Sequence, residues 1–477
     1  MKKNKITVFL LSSVLLISAF AFPFSGAADC TFISSAAETG QPGGSGGQGG
    51  QAEPPDGQGG QAEPPDGQGG GAGGPGQSAG TASYSAVKEI TSDETISNET
   101  FSSENADENA VLVSGSITAK LSKTTISKTG DSDGGDTSNF YGNNSAVTAK
   151  DGASLTLRKM TITTDADGAN GVFSYGGSAT TNNSSGDGTT VTIKNSKITT
   201  TGDNAGGIMT TGGGSMTASN LTIKTSGKSS AAIRTDRGGG TVKVTGGTYK
   251  TTGIGSPAVY STAAISVKNA KLTSTASEGV VIEGKNSVAL NKCTLKDSNT
   301  ELNGQSTTYK NIFLYQSMSG DAAEGNSKFT AKNSKITTTN GDTFYITNTS
   351  AVIKLKNNTI KNTDSEGNFL RAQADSWGTS GSNGGDVTLV MTSQKASGNI
   401  VIDSISTLDM TMKSGSYYRG TINGDNSAKS IKLTLDKNSK IKLTGDSYVT
   451  SLEDEDADYS NINFNGYTLY VNGEAVN

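Results

Sequence analysis

Apolar residues return along this chain in three short alternating segments, at offsets that barely change. In TVTIK, Val191 and Ile193 point one way while Thr192 and Lys194 point the other. The phrase TVTIKNSKITTTG at 190–202 comes back as KFTAKNSKITTTNG at 328–341, with looser versions between them. Taking the second apolar segment as a marker gives Ile162, Ile198, Ile223, Tyr249, Leu272, Leu295, Ile336 and Ile360. Seven residues before each marker stands another apolar residue, from Leu155 and Val191 to Phe329 and Ile353. Ten residues after most markers stands a third, at Val172, Ile208, Ile233, Val259, Ile282, Ile346 and Leu370. Alternation of period two predicts strands. A repeat of this length predicts a solenoid or propeller, and a propeller blade needs four strands in about 40 residues. Three short strands in about 24 residues suit one turn of a parallel β-helix, with turns stacked about 4.8 Å apart and inward residues merging into one core. The pattern therefore predicts an all-β, right-handed, three-sided parallel β-helix of roughly ten to twelve coils between about 110 and 470.

The turn between the first two segments carries Asn195, Asn220, Asn269, Asn333 and Asn357 in one register, with Gly246 in the same place. Asn and Gly tolerate the left-handed backbone, and stacked Asn amides can hydrogen-bond from coil to coil. An open solenoid end is a sticky edge. The polar segment 81–110 is expected to cap the N-terminal end, and an acidic loop with NGYTLYVNG to close a β-helix domain spanning 111–477.

The preceding residues read differently. Lys2, Lys3 and Lys5 lead an apolar stretch to about Phe24, followed by small residues at Ser25–Ala28, which predicts a signal peptide over 1–28 and an exported protein. No second apolar run is long enough to span a membrane. Residues 29–80 are Gly/Pro/Gln-rich, with QAEPPDGQGG written twice, and predict a disordered linker that cannot bury enough surface to offset its ordering entropy. Of the two cysteines, Cys30 sits where a lipid-modified cysteine would, but Asp29 precedes it where that motif takes a small residue. Two cysteines make no disulfide scaffold.

Charge is partitioned. The net charge of −5 hides a basic middle, because acids gather at 89–108 and 453–458. Histidine is absent, which removes Ser-His-Asp and Cys-His nucleophiles and the commonest zinc ligand. Residues flanking the markers mostly pair one Lys with one Thr, as in Lys197/Thr199, Lys271/Thr273 and Thr359/Lys361. A soluble strand face accounts for them, Thr favouring the strand and Lys blocking stacking with other chains. A cationic ladder for an anionic polymer is the alternative. The third segment offers a mixed outward strip: Phe173, Tyr175, Arg234, Asp236, Tyr260, Glu283, Lys285, Tyr315 and Arg371. Sugar rings stack on aromatic faces and Arg clamps carboxylates, so this strip is the candidate glycan-binding site. Asp131, Asp133 and Asp136, with Asp165 and Asp167, lie in Gly-rich loops that could supply calcium with oxygen ligands.

The segments NSKITTTGDNAGGIMTTGGG, AAIRTDRGGG, GSPAVYST and SEGVVIEGKNSVALN resemble secreted bacterial right-handed β-helix proteins of the pectate-lyase-like superfamily, more narrowly its adhesin-like, carbohydrate-binding members. The resemblance covers most of 110–470. It implies a secreted or cell-surface protein that binds acidic extracellular polysaccharide or surface glycan and no nucleic acid. It leaves open a polysaccharide lyase acting on uronic-acid polymers, or a structural spacer without activity. A lyase of this kind would need a base such as Arg234, Arg237 or Lys285 beside an acid cluster, and only Asp236 and Glu283 lie near them. No catalytic residue is assigned.

Overall fold

A computed structural model describes residues 82–132, 135–177, 185–304 and 306–476. The expected signal peptide and the whole of the expected linker, with Cys30, lie outside them, as does Asp133. The described chain is a parallel β-helix. One coil runs Ala264–Lys268, Lys271–Ser274, Val280–Glu283, giving a first, second and third strand. Each strand pairs in parallel with its counterparts in the coils before and after.

Burial follows the alternation. Val191 and Ile193 of a first strand, Ile198 of a second and Ile208 of a third are all buried, and their stacked equivalents join one continuous core. The turn between first and second strands behaves as its residues require. Asn195, Asn220, Asn269, Asn333 and Asn357 adopt φ of 51–55°, and Gly246 adopts 70°. The amides stack where neighbours permit: Asn220 Nδ2 donates to Asn195 Oδ1 at 3.3 Å, and Asn357 Nδ2 to Asn333 Oδ1 at 2.9 Å. In two coils the parallel pairing runs on through this turn, and first and second strands join as Gly214–Thr225 and Gly240–Thr251.

Lys292 takes the same left-handed turn at φ 54°, between Asn269 and Asn333. A lysine in that conformation lacks the local hydrogen bonding that offsets the steric cost, about 1 kcal/mol. Lys292→Asn is therefore expected to raise stability by about that much and extend the amide stack, seen as a higher denaturation midpoint. An unchanged or lower midpoint would remove the turn argument.

The solenoid is longer than the spacing predicts. First strands stack without a break from Glu94–Ser97 to Ser451–Asp454, fourteen in all. Within the segment read as a cap, Ser85–Ile90, Glu94–Ser97 and Thr100–Ser103 form a coil of their own, parallel to the next. Its strands are short and carry few apolar residues, chiefly Ile90, Ile96 and Phe101, so the period is hard to read there. At the other end Leu469–Val471 turns back as an antiparallel pair with Glu474–Ala475.

The third strand needs a correction of register. From Leu272 to Val280 and from Ile336 to Phe344 the connection is eight residues, not ten. The stacked core column is therefore Val172, Ile208, Ile233, Val259, Val280, Ile312, Phe344, Leu370 and Ile400. A slip of two keeps every side chain on its own side of the sheet, so inward and outward assignments stand. The outward neighbours change: Arg234 and Tyr260 stack with Val281, Phe313, Tyr345 and Arg371. Glu283, Tyr315 and Thr347 form the next column.

Candidate functional site

The outward side of the third strands is closed rather than open. Segments inserted before and after these strands fold back over them. Phe173 is fully buried, and Gly142 lies so close that a Cβ there would meet the Phe173 ring at 2.5 Å. Tyr175 packs edge-on against Tyr141 at 5.3 Å. Trp377 covers Phe313 and Tyr315, with ring centroids 5.3 and 5.5 Å away. Together with Ala231, Tyr260, Val281 and Tyr345 these rings form a second apolar cluster outside the solenoid core. The expected open glycan strip is thus absent in that form, because the aromatic rings gain more by burial under the loops than by facing water. Only Lys285 of that strip is exposed.

Five of the expected site residues nevertheless meet, in a buried polar network. Arg234 Nε and Nη2 both donate to Asp236 Oδ2, at 3.0 and 2.6 Å, while Nη1 donates to the Ser229 carbonyl at 3.1 Å. The guanidinium also lies 5.5 Å from the centre of the Tyr260 ring. The Tyr260 hydroxyl donates to Glu283 Oε2, Tyr315 donates to the same oxygen at 3.0 Å, and Ser317 Oγ donates to Oε1. Burial pushes the Glu283 carboxyl up to about 7; the Ser317 and Tyr260 hydrogen bonds pull it back, and the charges of Asp321 and Asp236 push it further. Asp236 is raised as well, by burial, against the pull of Arg234. Arg237 clamps the cover above: Nε and Nη2 donate to Asp321 Oδ1 at 2.9 and 2.8 Å, Nη1 donates to Asp136 at 2.9 Å, and the guanidinium sits 3.8 Å from the Phe140 ring centre. Arg371 lies apart from this network and pairs with Asp342, Nε to Oδ2 at 2.6 Å.

The loop acids serve turns. Asp131 accepts from the Asp167 backbone N–H at 2.9 Å, Asp167 from that of Asp203 at 2.7 Å, and Asp203 from that of Lys228 at 2.7 Å. Asp165 accepts from the Thr201 hydroxyl, and Asp136 belongs to Arg237. The acids are spread along the solenoid, and among the described residues no three acidic or Cys side chains gather to hold a metal ion. The calcium expectation finds no cage among these carboxylates.

The second face is open and of one sign. Every coil from Lys197 to Lys361 carries one exposed lysine on it: Lys197, Lys224, Lys250, Lys271, Lys296, Lys335 and Lys361. Lys395, Arg419 and Lys440 extend the row in the coils that follow. From Lys250 to Lys361 the lysine changes column at each coil. That alternation puts same-column lysines about 9–10 Å apart between Lys250 and Lys361, whereas Lys224 and Lys250 share a column in adjacent coils. The outward positions of these second strands carry no acid, and among the described residues none of these cations forms an ion pair.

No family model, curated protein or solved structure matches the chain. Sequence reasoning passed over Phe313, Tyr345, Trp377, Ser317 and Asp321. Its available signal was KNIFLY at 310–315, where apolar residues occupy both alternating sets. A strand apolar on both sides is covered on both sides.

Proposed function

We propose that the protein is an exported β-helix that binds an extended acidic polysaccharide along its lysine-bearing second face. The observation that carries this reading is the segregation of charge. A face that served solubility alone would intersperse both signs, yet this one has a cation in every coil from Lys197 to Lys361 and no acid. Lysines held about one strand spacing apart along the axis form a rigid array already ordered for a linear polyanion, so the protein loses little entropy on binding. The long-range field of such a row also speeds encounter. A flexible chain of charged sugars needs no deep cleft to follow it. The resemblance to secreted carbohydrate-binding β-helix proteins, and the signal-like first 28 residues, agree with a role outside the cell.

The test replaces Lys271, Lys296, Lys335 and Lys361 together by Gln. Each lysine near an anionic surface is worth about 1 kcal/mol, so affinity for an acidic polysaccharide should fall by well over tenfold with the melting transition unchanged. Replacing Lys120, Lys243 and Lys354 on the first face is the control, and it should cost far less. Equal losses from both variants, or no loss from the first, would overturn the assignment to this face.

A further inference from the structure

Lys310 is a fully buried lysine whose nearest charge is too far for a hydrogen bond. It stands at the start of the third strand Lys310–Tyr315, which pairs with Val280–Glu283 in the coil before. The Val280↔Ile312 register, carried two residues back, sets Glu278 opposite Lys310. Carried into the next coil, it sets Lys310 opposite Asp342. Glu278 is also buried, and the Lys310 Nζ to Glu278 Oε1 distance is 3.8 Å. Asp342 is taken by Arg371 and by Asn368. Asp375, the other carboxylate in the field of Lys310, is taken by the Tyr345 hydroxyl and the Ser376 N–H. The Lys310 amine is held by Ser306 Oγ and the Thr308 carbonyl, and enclosed by Phe313, Tyr345 and Trp377, with ring centres 4.4, 5.0 and 5.7 Å away. Glu278 is oriented by the Ser277 hydroxyl at 2.7 Å. A fourth acid lies in the field of Glu278: Asp297 is fully buried and has an Oδ2 without a hydrogen-bond partner.

We propose that Lys310 and Glu278 join through an intramolecular amide bond, formed by their own side chains in this buried, aromatic-walled site. The Lys310 amine lone pair attacks Glu278 Cδ, an N–C bond forms, and a C–O bond breaks. One water leaves, carrying the hydroxyl of the carboxyl and a proton of the amine. The condensation is redox-neutral and needs no co-reactant. Burial supplies what the reaction lacks in water: it pushes Lys310 down toward the free, nucleophilic amine, and Asp297 well up toward the protonated acid. Asp297 can then protonate the departing oxygen and take up the amine proton. The amide also replaces two buried ionisable groups that a 3.8 Å contact satisfies poorly, and it ties the strand Lys310–Tyr315 to the coil before it.

The experiment is intact-mass and peptide mass spectrometry on the purified full chain. The expected result is a protein one water lighter than its sequenced ends require, and a branched peptide joining the segments around 278 and 310. Lys310→Ala should restore the full mass. Glu278→Gln, which keeps the size of the side chain, should form the same amide and lose one ammonia instead of one water. Asp297→Asn should leave part of the protein unlinked. A wild-type chain at full mass, with separate peptides and a Lys310 amine that reacts with acylating reagent once the chain is unfolded, would overturn the proposal.

Discussion

Trp377→Ala is expected to open the cover over the third strands. Trp377 is 1% exposed and packs on Phe313 and Tyr315 as part of the apolar cluster outside the solenoid core. Truncating a fully buried Trp leaves a cavity and typically costs about 3–5 kcal/mol. Its segment, 373–384, is tied to the coils mainly at its two ends: Gln373 N–H donates to the Ile346 carbonyl, Ala374 N–H to Asp403 and the Tyr345 hydroxyl to Asp375, while the Asn383 carbonyl accepts from Asn348 N–H. In a solenoid, where each coil leans on its neighbours alone, such a loss opens the structure locally before it unfolds the whole. Limited proteolysis should therefore cut the variant within 373–384 well below its melting temperature, while the wild type is spared. A variant as resistant as the wild type, with an unchanged midpoint, would mean that Trp377 does not hold the cover.

A second large effect follows from Glu283. Its carboxyl is raised from an ordinary 4.5 to about 7, chiefly by burial. Below pH 4.5 folded and unfolded chains both carry the proton and Glu283 costs nothing. Between 4.5 and 7 the unfolded chain gives up the proton and the folded one keeps it, so stability falls as pH rises. At about 1.4 kcal/mol per pH unit, the loss attributable to Glu283 is about 3 kcal/mol by pH 7. Asp236, also raised by burial, adds a loss of the same sign. Glu283→Gln keeps an acceptor for Tyr260 and Tyr315 and cannot ionise. It should gain on the wild type steadily from pH 4.5 to 7 in denaturant midpoints and keep that advantage, no longer growing, above pH 7. Parallel curves for the two proteins would show that Glu283 is ionised at no unusual cost.

Much of this architecture is legible in the sequence because a β-helix repeats one local rule. The alternation around Val191 and Ile193 and the left-handed Asn turns each report a backbone state directly, and both are realised coil by coil. The third strand was harder. A connection two residues shorter before Val280 and Phe344 displaced the outward column without changing which way any side chain points. Whether that outward side meets water could not be read from strand periodicity, since burial there depends on insertions distant in sequence: Gly142 over Phe173, Trp377 over Phe313, Asp321 and Asp136 on Arg237. Arg234, Asp236, Tyr260, Glu283 and Tyr315 come together in a buried network, not as an exposed strip. The lysine row was visible in the sequence; its freedom from acids and ion pairs emerged only when the coils were stacked.

The most direct measurement of the central proposal is the salt dependence of binding to an acidic polysaccharide, with a neutral polymer alongside, for the wild type and the four-lysine variant. Binding through the lysine row releases counterions, so log K should fall linearly with log salt concentration, with a slope set by the number of contacts. Replacing four contributing lysines should make that slope markedly shallower, and the neutral polymer should not be retained. Salt-independent binding, equal retention of the neutral polymer, or the same slope in both proteins would contradict a polyanion-binding face.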